Sequence, residues 1–333
     1  MVETAPVRGL EAEEGLDAIL RRETQPFVVR DIASDWPLVR AGVHSSAEAR
    51  HYLLDRARDR PFTVNIGEPG SGERLFYDGQ MDMNFRTGRA SLADIFRGLS
   101  DNEDRTDPPV IYLSSVDMVD YFDGLHETNH LDLGQRDTLA SIWIGNRTRI
   151  APHNDVPNNV AVCVAGSRRF TLFPPEQFRN LYLGPIDHTP AGRPVSMVDL
   201  ADPELNRFPR FADALAHAQV ADLQPGDAIF IPSLWWHQVE ALAPFNVLVN
   251  YWWRDVPRYL GNPQDALHHA MLSVRDLDPA AKRRWKELFD YYVFENDDSV
   301  TAHIPERARG VLDSLDAEQA GKLRANILHG LSR

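Results

Sequence analysis

Cysteine is all but absent: Cys163 is the one thiol in 333 residues. No intramolecular disulfide can form, and the composition suits a reducing compartment. Long apolar runs are missing too. Nothing approaches the roughly 18 consecutive apolar residues of a membrane span. Met1 to Leu16 is acidic and lacks the basic start and apolar core of a signal peptide, so the expectation is a cytoplasmic protein without membrane partners. Positive charge is in deficit, with 35 Lys and Arg against 49 Asp and Glu, a formal net charge of −14. Such a field disfavours phosphate backbones and argues against nucleic acid, while leaving room for a basic or neutral peptide. No internal repeat is visible.

What remains is a chain that is 43% hydrophobic and 25% charged, long enough for one large β domain with helical additions or for two domains. Its centre is the stretch from Asn146 to Asn250. His153-Asn154-Asp155 opens it. Asn158-Asn159, the apolar run 160–165, a Gly166-Ser167 turn and Arg168-Arg169-Phe170-Thr171-Leu172-Phe173 follow, which reads as strand, turn, strand. Pro225-Gly226-Asp227 is a turn, Ala228 to Ile231 a buried strand, and Trp235-Trp236-His237 closes the stretch before a return strand, Val247 to Trp252. In His-x-Asp both side chains share one face of a strand. Joined to a distant His on a neighbouring strand, they form a two-His, one-carboxylate face. That face leaves about three positions of an octahedral ion open, the signature of non-haem Fe(II) oxygenases; structural zinc would use a closed four-ligand set. Taken alone, His237 reads better as a packed core histidine beside two tryptophans; the second His and the carboxylate on a partner strand turn the reading to metal binding. His130-Leu131-Asp132 repeats the His-x-Asp pattern in a polar context that suits a loop. Cys163 reads as a small core residue.

Gly226, Pro232 and His237 resemble the second motif of cupins, with Leu234 where a glycine is usual. Over Ser141 to Trp253 the sequence is similar to the JmjC/cupin-like Fe(II)- and 2-oxoglutarate-dependent oxygenases, most of all to the asparaginyl hydroxylase that inhibits hypoxia-inducible factor. The shared text is Leu172-Phe173-Pro174-Pro175, Gln177-Phe178, Arg207-Phe208-Pro209, Pro225-Gly226-Asp227, Ile231-Pro232, Trp235-Trp236-His237 and Val249-Asn250. The resemblance implies a mainly β fold: a double-stranded β-helix (jelly-roll, cupin) core with N-terminal α/β additions and a C-terminal helical extension. It implies Fe(II) held by His153, Asp155 and His237, with 2-oxoglutarate and O2 as cosubstrates. Arg168, where the hydroxylase has lysine, would take the distal carboxylate with a planar fork in place of a point charge. Arg169 would face solvent. Asn159 and Asn250 match positions lining the cosubstrate pocket, and Tyr112 a tyrosine meeting the same carboxylate. Arg193 matches a substrate clamp, and Trp236, Trp252 and Tyr251 are candidate pocket walls or plain core. Two departures stand out. Thr148 and Ile150 both remain open as the counterpart of a cosubstrate-contacting threonine, and Pro157 replaces a substrate-holding glutamine.

The organisation expected is an N-terminal α/β region over 1–109, a catalytic core over 110–260 and a helical region over 261–333. In the first, residues 1–15 read as a loose tail, Leu16 to Arg22, Ser46 to Arg58 and Ser91 to Leu99 as helices, and Pro26 to Arg30 and Phe62 to Ile66 as strands. Ser46 is a possible cap, and Ser91 with Asp94 resembles a capping box. Val110 to Leu113 is a strand. Gly184 to Arg210 lacks regular pattern and lies between the two halves of the site, which suits a substrate lid; Phe211 to Val220 suits a helix. Trp285, Leu288, Phe289, Tyr292 and Val293 form a helical stripe behind an Asp278-Pro279 cap, and Val311, Leu312 and Leu315, then Leu323, Ile327 and Leu331, suggest further helices. These stripes either pack on the barrel or build a homodimer, as the resemblance implies. The substrate expected is a protein or peptide side chain, with a small molecule as the alternative.

Overall fold

Eight strands follow one another between Leu139 and Trp253 in the computed structural model, which describes residues 5–10 and 15–332. They are β1 (Leu139–Gly145), β2 (Thr148–Asn154), β3 (Asn158–Ala165), β4 (Arg168–Phe173), β5 (Gln219–Leu223), β6 (Ala228–Ile231), β7 (Trp236–Ala241) and β8 (Asn246–Trp253). Neighbours in one sheet run β1-β8-β3-β6 and in the other β2-β7-β4-β5, all antiparallel. Except for β4 and β5, which pair in the same sheet, successive strands alternate between two sheets, which is the double-stranded β-helix of the jelly roll. The larger sheet continues beyond β1 through Val110–Asp117, Phe62–Gly67 and Phe85–Ala90, and beyond β6 through Phe27–Val29 and Arg8–Gly9.

The apolar run of β3 explains itself once its faces are separated. Ala161 and Cys163 pack between the sheets with Phe170, Leu172, Ile229 and Leu248. Val160, Val162 and Val164 point the other way, under the N-terminal helices, among Leu38, Val39, Leu53 and Phe96. A strand covered on both faces loses the polar alternation of a half-exposed one. Burial also pushes the Cys163 thiol up to about 12, so it packs as an inert core group. The turn from β3 to β4 needs its glycine. Gly166 has φ +73°, and a Cβ there would lie 2.4 Å from Asn246 Oδ1 and 2.6 Å from the Phe245 carbonyl.

Tertiary pairing corrects several local expectations. Residues 5–10 are no loose tail: Ala5–Pro6 pairs in parallel with β5, and Arg8–Gly9 with Phe27–Val29. The rest of that expected tail lies outside the described residues, apart from Gly15. Ser45, with extended backbone, caps Ser46–Leu54 by accepting from Glu48 N, and the helix stops short of Arg58 as Ala57 bridges to Phe122. Ser91 does cap Leu92–Asp101. The helix beginning at Phe211 ends at Ala216, because Gln219 and Val220 are taken into β5 by pairing on both sides.

The chain divides into two units, Met1–Arg254 and Asp255–Arg333. The first contains both the N-terminal α/β region and the barrel. The second holds helices Pro263–Ser273, Pro279–Phe289 and Ala317–Leu331, capped by Asn262, Asp278 and Asp316. Val311 and Leu312 lie in a single 3-10 turn, and Leu315 precedes the last helix. No helix of the described residues is long and apolar enough to cross a membrane.

Candidate metal centre and cosubstrate cavity

β2 and β7 pair with His153 directly opposite His237. Their rings face each other with centroids 4.4 Å apart. Asp155 follows the end of β2, and its carbonyl accepts from Leu234 N at 2.9 Å. Leu234 sits at φ +66°, a conformation that explains why glycine is usual at this motif position; leucine holds it at the cost of local strain. One ligand atom from each of His153, Asp155 and His237 can be chosen so that all lie within 4.8 Å of one another. His237 Nε2 is 3.7 Å from Asp155 Oδ2.

Both imidazoles are set to offer Nε2. His153 Nδ1 lies 2.9 Å from the Ala151 carbonyl and His237 Nδ1 lies 3.1 Å from the Trp235 carbonyl. A carbonyl only accepts, so each Nδ1 carries the proton and each Nε2 keeps a lone pair for a metal. Burial, reinforced by the neighbouring His153, pushes His237 down to about 4 despite Asp155, which keeps it neutral and ligand-competent near pH 7. Two neutral imidazoles and a carboxylate fit Fe(II) and leave one side open.

That open side faces a cavity of about 350 Å³ lined by the triad, Arg168, Tyr112, Asn159, Asn250 and Trp252 among others. Arg168 is only 2% exposed, and its Nε and Nη2 are buried without a partner. Burial lowers its pKa, and it donates a hydrogen bond to the Tyr112 hydroxyl oxygen; Tyr112 itself is pushed up to about 12, mainly by burial. Arg169, the next residue, faces outward and pairs with Asp222 at 2.7 Å. A buried guanidinium with an empty fork requires an anion. The register sets the depth. In β4, Leu172 is opposite His237 and Arg168 is opposite Ala241. The cation thus lies four residues, or about 13 Å of strand, below the metal level. Asn250 accepts from Trp143 Nε1 at 2.6 Å and donates to Asn159 Oδ1 at 3.2 Å, fixing both amides on the cavity wall.

Other expected site residues are sorted by the pleat. Trp252 lines the cavity, whereas Trp236, adjacent to an inward His237, points out and packs with Phe173, Leu181 and Phe211. Trp236 is therefore no pocket wall. Tyr251 likewise points away, its hydroxyl donating to the Asn129 carbonyl. Arg193 is not on the cavity wall. Its guanidinium donates to the Asn154 carbonyl and to Asn154 Oδ1, bracing the metal strand from behind. Ile150 lines the cavity, and Thr148 is buried elsewhere against the Asn146 carbonyl. His130 lies against the Glu127 carbonyl, and no three-ligand group forms around it among the described residues. The segment Gly184 to Arg210, expected as a lid, puts Pro190–Gly192 on the cavity wall as a strap, while the sequence reading missed Asn65, Ser114, Ser115 and Trp143 there. Trp143 carried a signal, since it alternates with Ser141 and Gly145 on a strand, but its partner Asn250 is 107 residues away.

Fold and site together define a cupin-type barrel with an open two-His, one-carboxylate face and a cationic floor. Residues 15–259 match the cupin-like domain, Cupin_8, and the chain belongs to that family. It is 26% identical to HSPB1-associated protein 1 of Bos taurus over 234 residues, 68% of this chain and 48% of that protein. It is 34% identical over 128 residues to lysine-specific demethylase JMJ31 of Arabidopsis thaliana, 38% of this chain and 22% of that protein. It is 37% identical over 105 residues to tRNA wybutosine-synthesizing protein 5 of Danio rerio, 32% of this chain and 29% of that protein. The chain thus spans about half or less of the length of these relatives.

Proposed function

We propose that this protein is an Fe(II)- and 2-oxoglutarate-dependent oxygenase that hydroxylates a side chain of a protein or peptide. The observation that carries this reading is the unpaired, buried fork of Arg168 sharing one cavity with His153, Asp155 and His237. Bound Fe(II) would supply O2 activation, with 2-oxoglutarate converted to succinate and CO2 as one oxygen atom enters the substrate. The chain's own residues do the rest. Arg168 and Tyr112 anchor the distal carboxylate. Asn159 and Asn250 orient the polar wall, and the two backbone carbonyls hold the imidazole protons away from the metal. Trp252, Phe170 and Leu248 keep the cavity largely apolar, which limits water near the reacting centre.

The protein or peptide reading draws support from the relatives named for a heat-shock-protein association and for lysine demethylation. The relative named for tRNA modification makes RNA the competing macromolecule; the net charge of −14 weighs against it here. A small-molecule substrate is the second reading, favoured by the Pro190–Gly192 strap along the cavity wall. We also propose a cytoplasmic location, in keeping with the single buried thiol, and a homodimer formed through the second unit. That unit exposes Phe294 (74%), Leu272 (76%) and Val293 (56%) and carries an apolar groove of about 700 Å³ between its first two helices. The deciding experiment is uncoupled turnover: purified protein with Fe(II), O2 and labelled 2-oxoglutarate should form succinate, and His237→Ala should not. No succinate from iron-loaded protein would remove the oxygenase reading.

A further inference from the structure

Trp252, on the cavity wall, carries a further buried donor without a partner. Trp252 Nε1 is enclosed and unbonded. Its depth differs from that of Arg168. Trp252 is opposite Asn159, which is opposite Ile231, at the end of the barrel where β2 stops and β7 begins at Trp236, next to His237. Arg168 and Tyr112 are at the other end: Tyr112 pairs with Gly145, which pairs with Asn246 at the start of β8. A dicarboxylate anchored below cannot satisfy Trp252 with its anchored end. The ring is held by an edge-on contact with Trp143, centroids 5.7 Å apart, so Nε1 keeps its direction.

A backbone irregularity on the neighbouring wall marks the same region. The strand Val110–Asp117 shifts register against β1 between Leu113 and Val116, and Ser115 within the shift has φ +49°. The bulge turns two consecutive residues, Ser114 and Ser115, into the cavity where a regular strand would present one. Ser115 Oγ donates to Ser141 Oγ at 3.3 Å, and Ser141 is opposite Asn250. Asn65 also lines the cavity but is opposite Tyr112, nearer the Arg168 end, and its Oδ1 accepts from Thr87 Oγ1. Strain at a non-glycine residue beside a site is retained where its geometry is used.

We propose that Trp252 Nε1, together with the bulged Ser114–Ser115 pair, is a substrate-binding station that hydrogen-bonds a peptide-type amide at the metal end of the cavity. The inference rests on the oxygenase reading above and names what that site would hold. The indole N–H requires an acceptor, and an amide carbonyl supplies one in uncharged form; serine hydroxyls can meet either the carbonyl or the N–H of such a group. Among the described lining residues the one arginine, Arg168, is at the other end of the cavity, and Arg193, within electrostatic reach of Asp155, donates to Asn154.

The test uses the whole protein loaded with Mn(II) and 2-oxoglutarate, with N-acetylglycine methylamide as the probe. Proton relaxation of the probe should be enhanced by the bound Mn(II). In Trp252→Phe the probe's affinity should fall about fivefold, the worth of one hydrogen bond, while 2-oxoglutarate affinity moves less than about twofold. Ser114→Ala, which leaves the ring packing alone, should weaken the probe in the same direction. A Trp252→Phe protein that loses 2-oxoglutarate affinity would give the indole N–H to the cosubstrate and overturn the proposal. So would an unmodified protein that binds Mn(II) and 2-oxoglutarate but leaves the probe unrelaxed. If neither Mn(II) nor 2-oxoglutarate binds, the oxygenase reading fails and this inference falls with it.

Discussion

Arg168→Met separates a ligand-binding arginine from a structural one, because the two roles predict opposite effects on the protein without ligand. The side chain is 2% exposed, hydrogen-bonded to Tyr112, and leaves Nε and Nη2 unpaired. Methionine has similar length and no charge, and would lie among Cys163, Phe170 and Leu248. Removing a buried charge with two unmet donors should stabilise the ligand-free protein by about 1–3 kcal/mol. For a domain of this size each kcal/mol raises Tm by about 2–4 °C. Binding should move the other way. A bidentate, charge-assisted pair with a carboxylate is worth roughly 3–4 kcal/mol, so 2-oxoglutarate Kd should rise on the order of a few hundredfold. Thermal melts with and without 2-oxoglutarate in the presence of Mn(II) read both effects. At a ligand concentration of about 100 Kd, the unmodified protein gains about 2.7 kcal/mol, and the variant at the same concentration gains almost nothing. A variant that melts lower without ligand, yet keeps the full 2-oxoglutarate shift, would refute the argument and return Arg168 to a structural role.

Three further outcomes follow from the same geometry. His237→Ala removes one of three ligands, so iron content after anaerobic reconstitution should fall by orders of magnitude; unchanged stoichiometry would show that the triad is not the site. Gly166→Ala combines a left-handed backbone with a Cβ 2.4 Å from Asn246 Oδ1, and should cost about 2–4 kcal/mol in denaturant unfolding; a loss under 1 kcal/mol would mean that the turn relaxes freely. Light scattering at micromolar concentration should give about twice the chain mass of 37.7 kDa, and Phe294→Asp, which charges the most exposed aromatic of the second unit, should shift it toward monomer. Scattering at the monomer mass would reject the dimer.

By itself the sequence determined the class of fold, through the family its motifs resemble, and picked out the three residues of the candidate metal centre. His-x-Asp, the Gly166-Ser167 turn and the Pro225-Gly226 turn are local signals, and a period of two puts alternate residues on one face wherever the strand goes. The same rule put Arg168 and Arg169 on opposite faces, and the resemblance picked Arg168 as the inward one. What it left open depended on groups far apart in the chain. Whether Trp236 or Trp252 faces the cavity is fixed by register against β4 and β3. Tertiary pairing claimed Gln219 and Val220 for a strand, and residues 5–10 for sheet edges. Thr148 and Ile150 share one face of β2, and the choice between them turned on how far along the strand the cavity reaches. Ser114 and Ser115 were invisible because a bulge is a property of two strands together, read only when one slips against the other. Even Leu234, noted as an odd residue in a glycine position, acquired its meaning from a backbone angle and from the hydrogen bond it gives to Asp155.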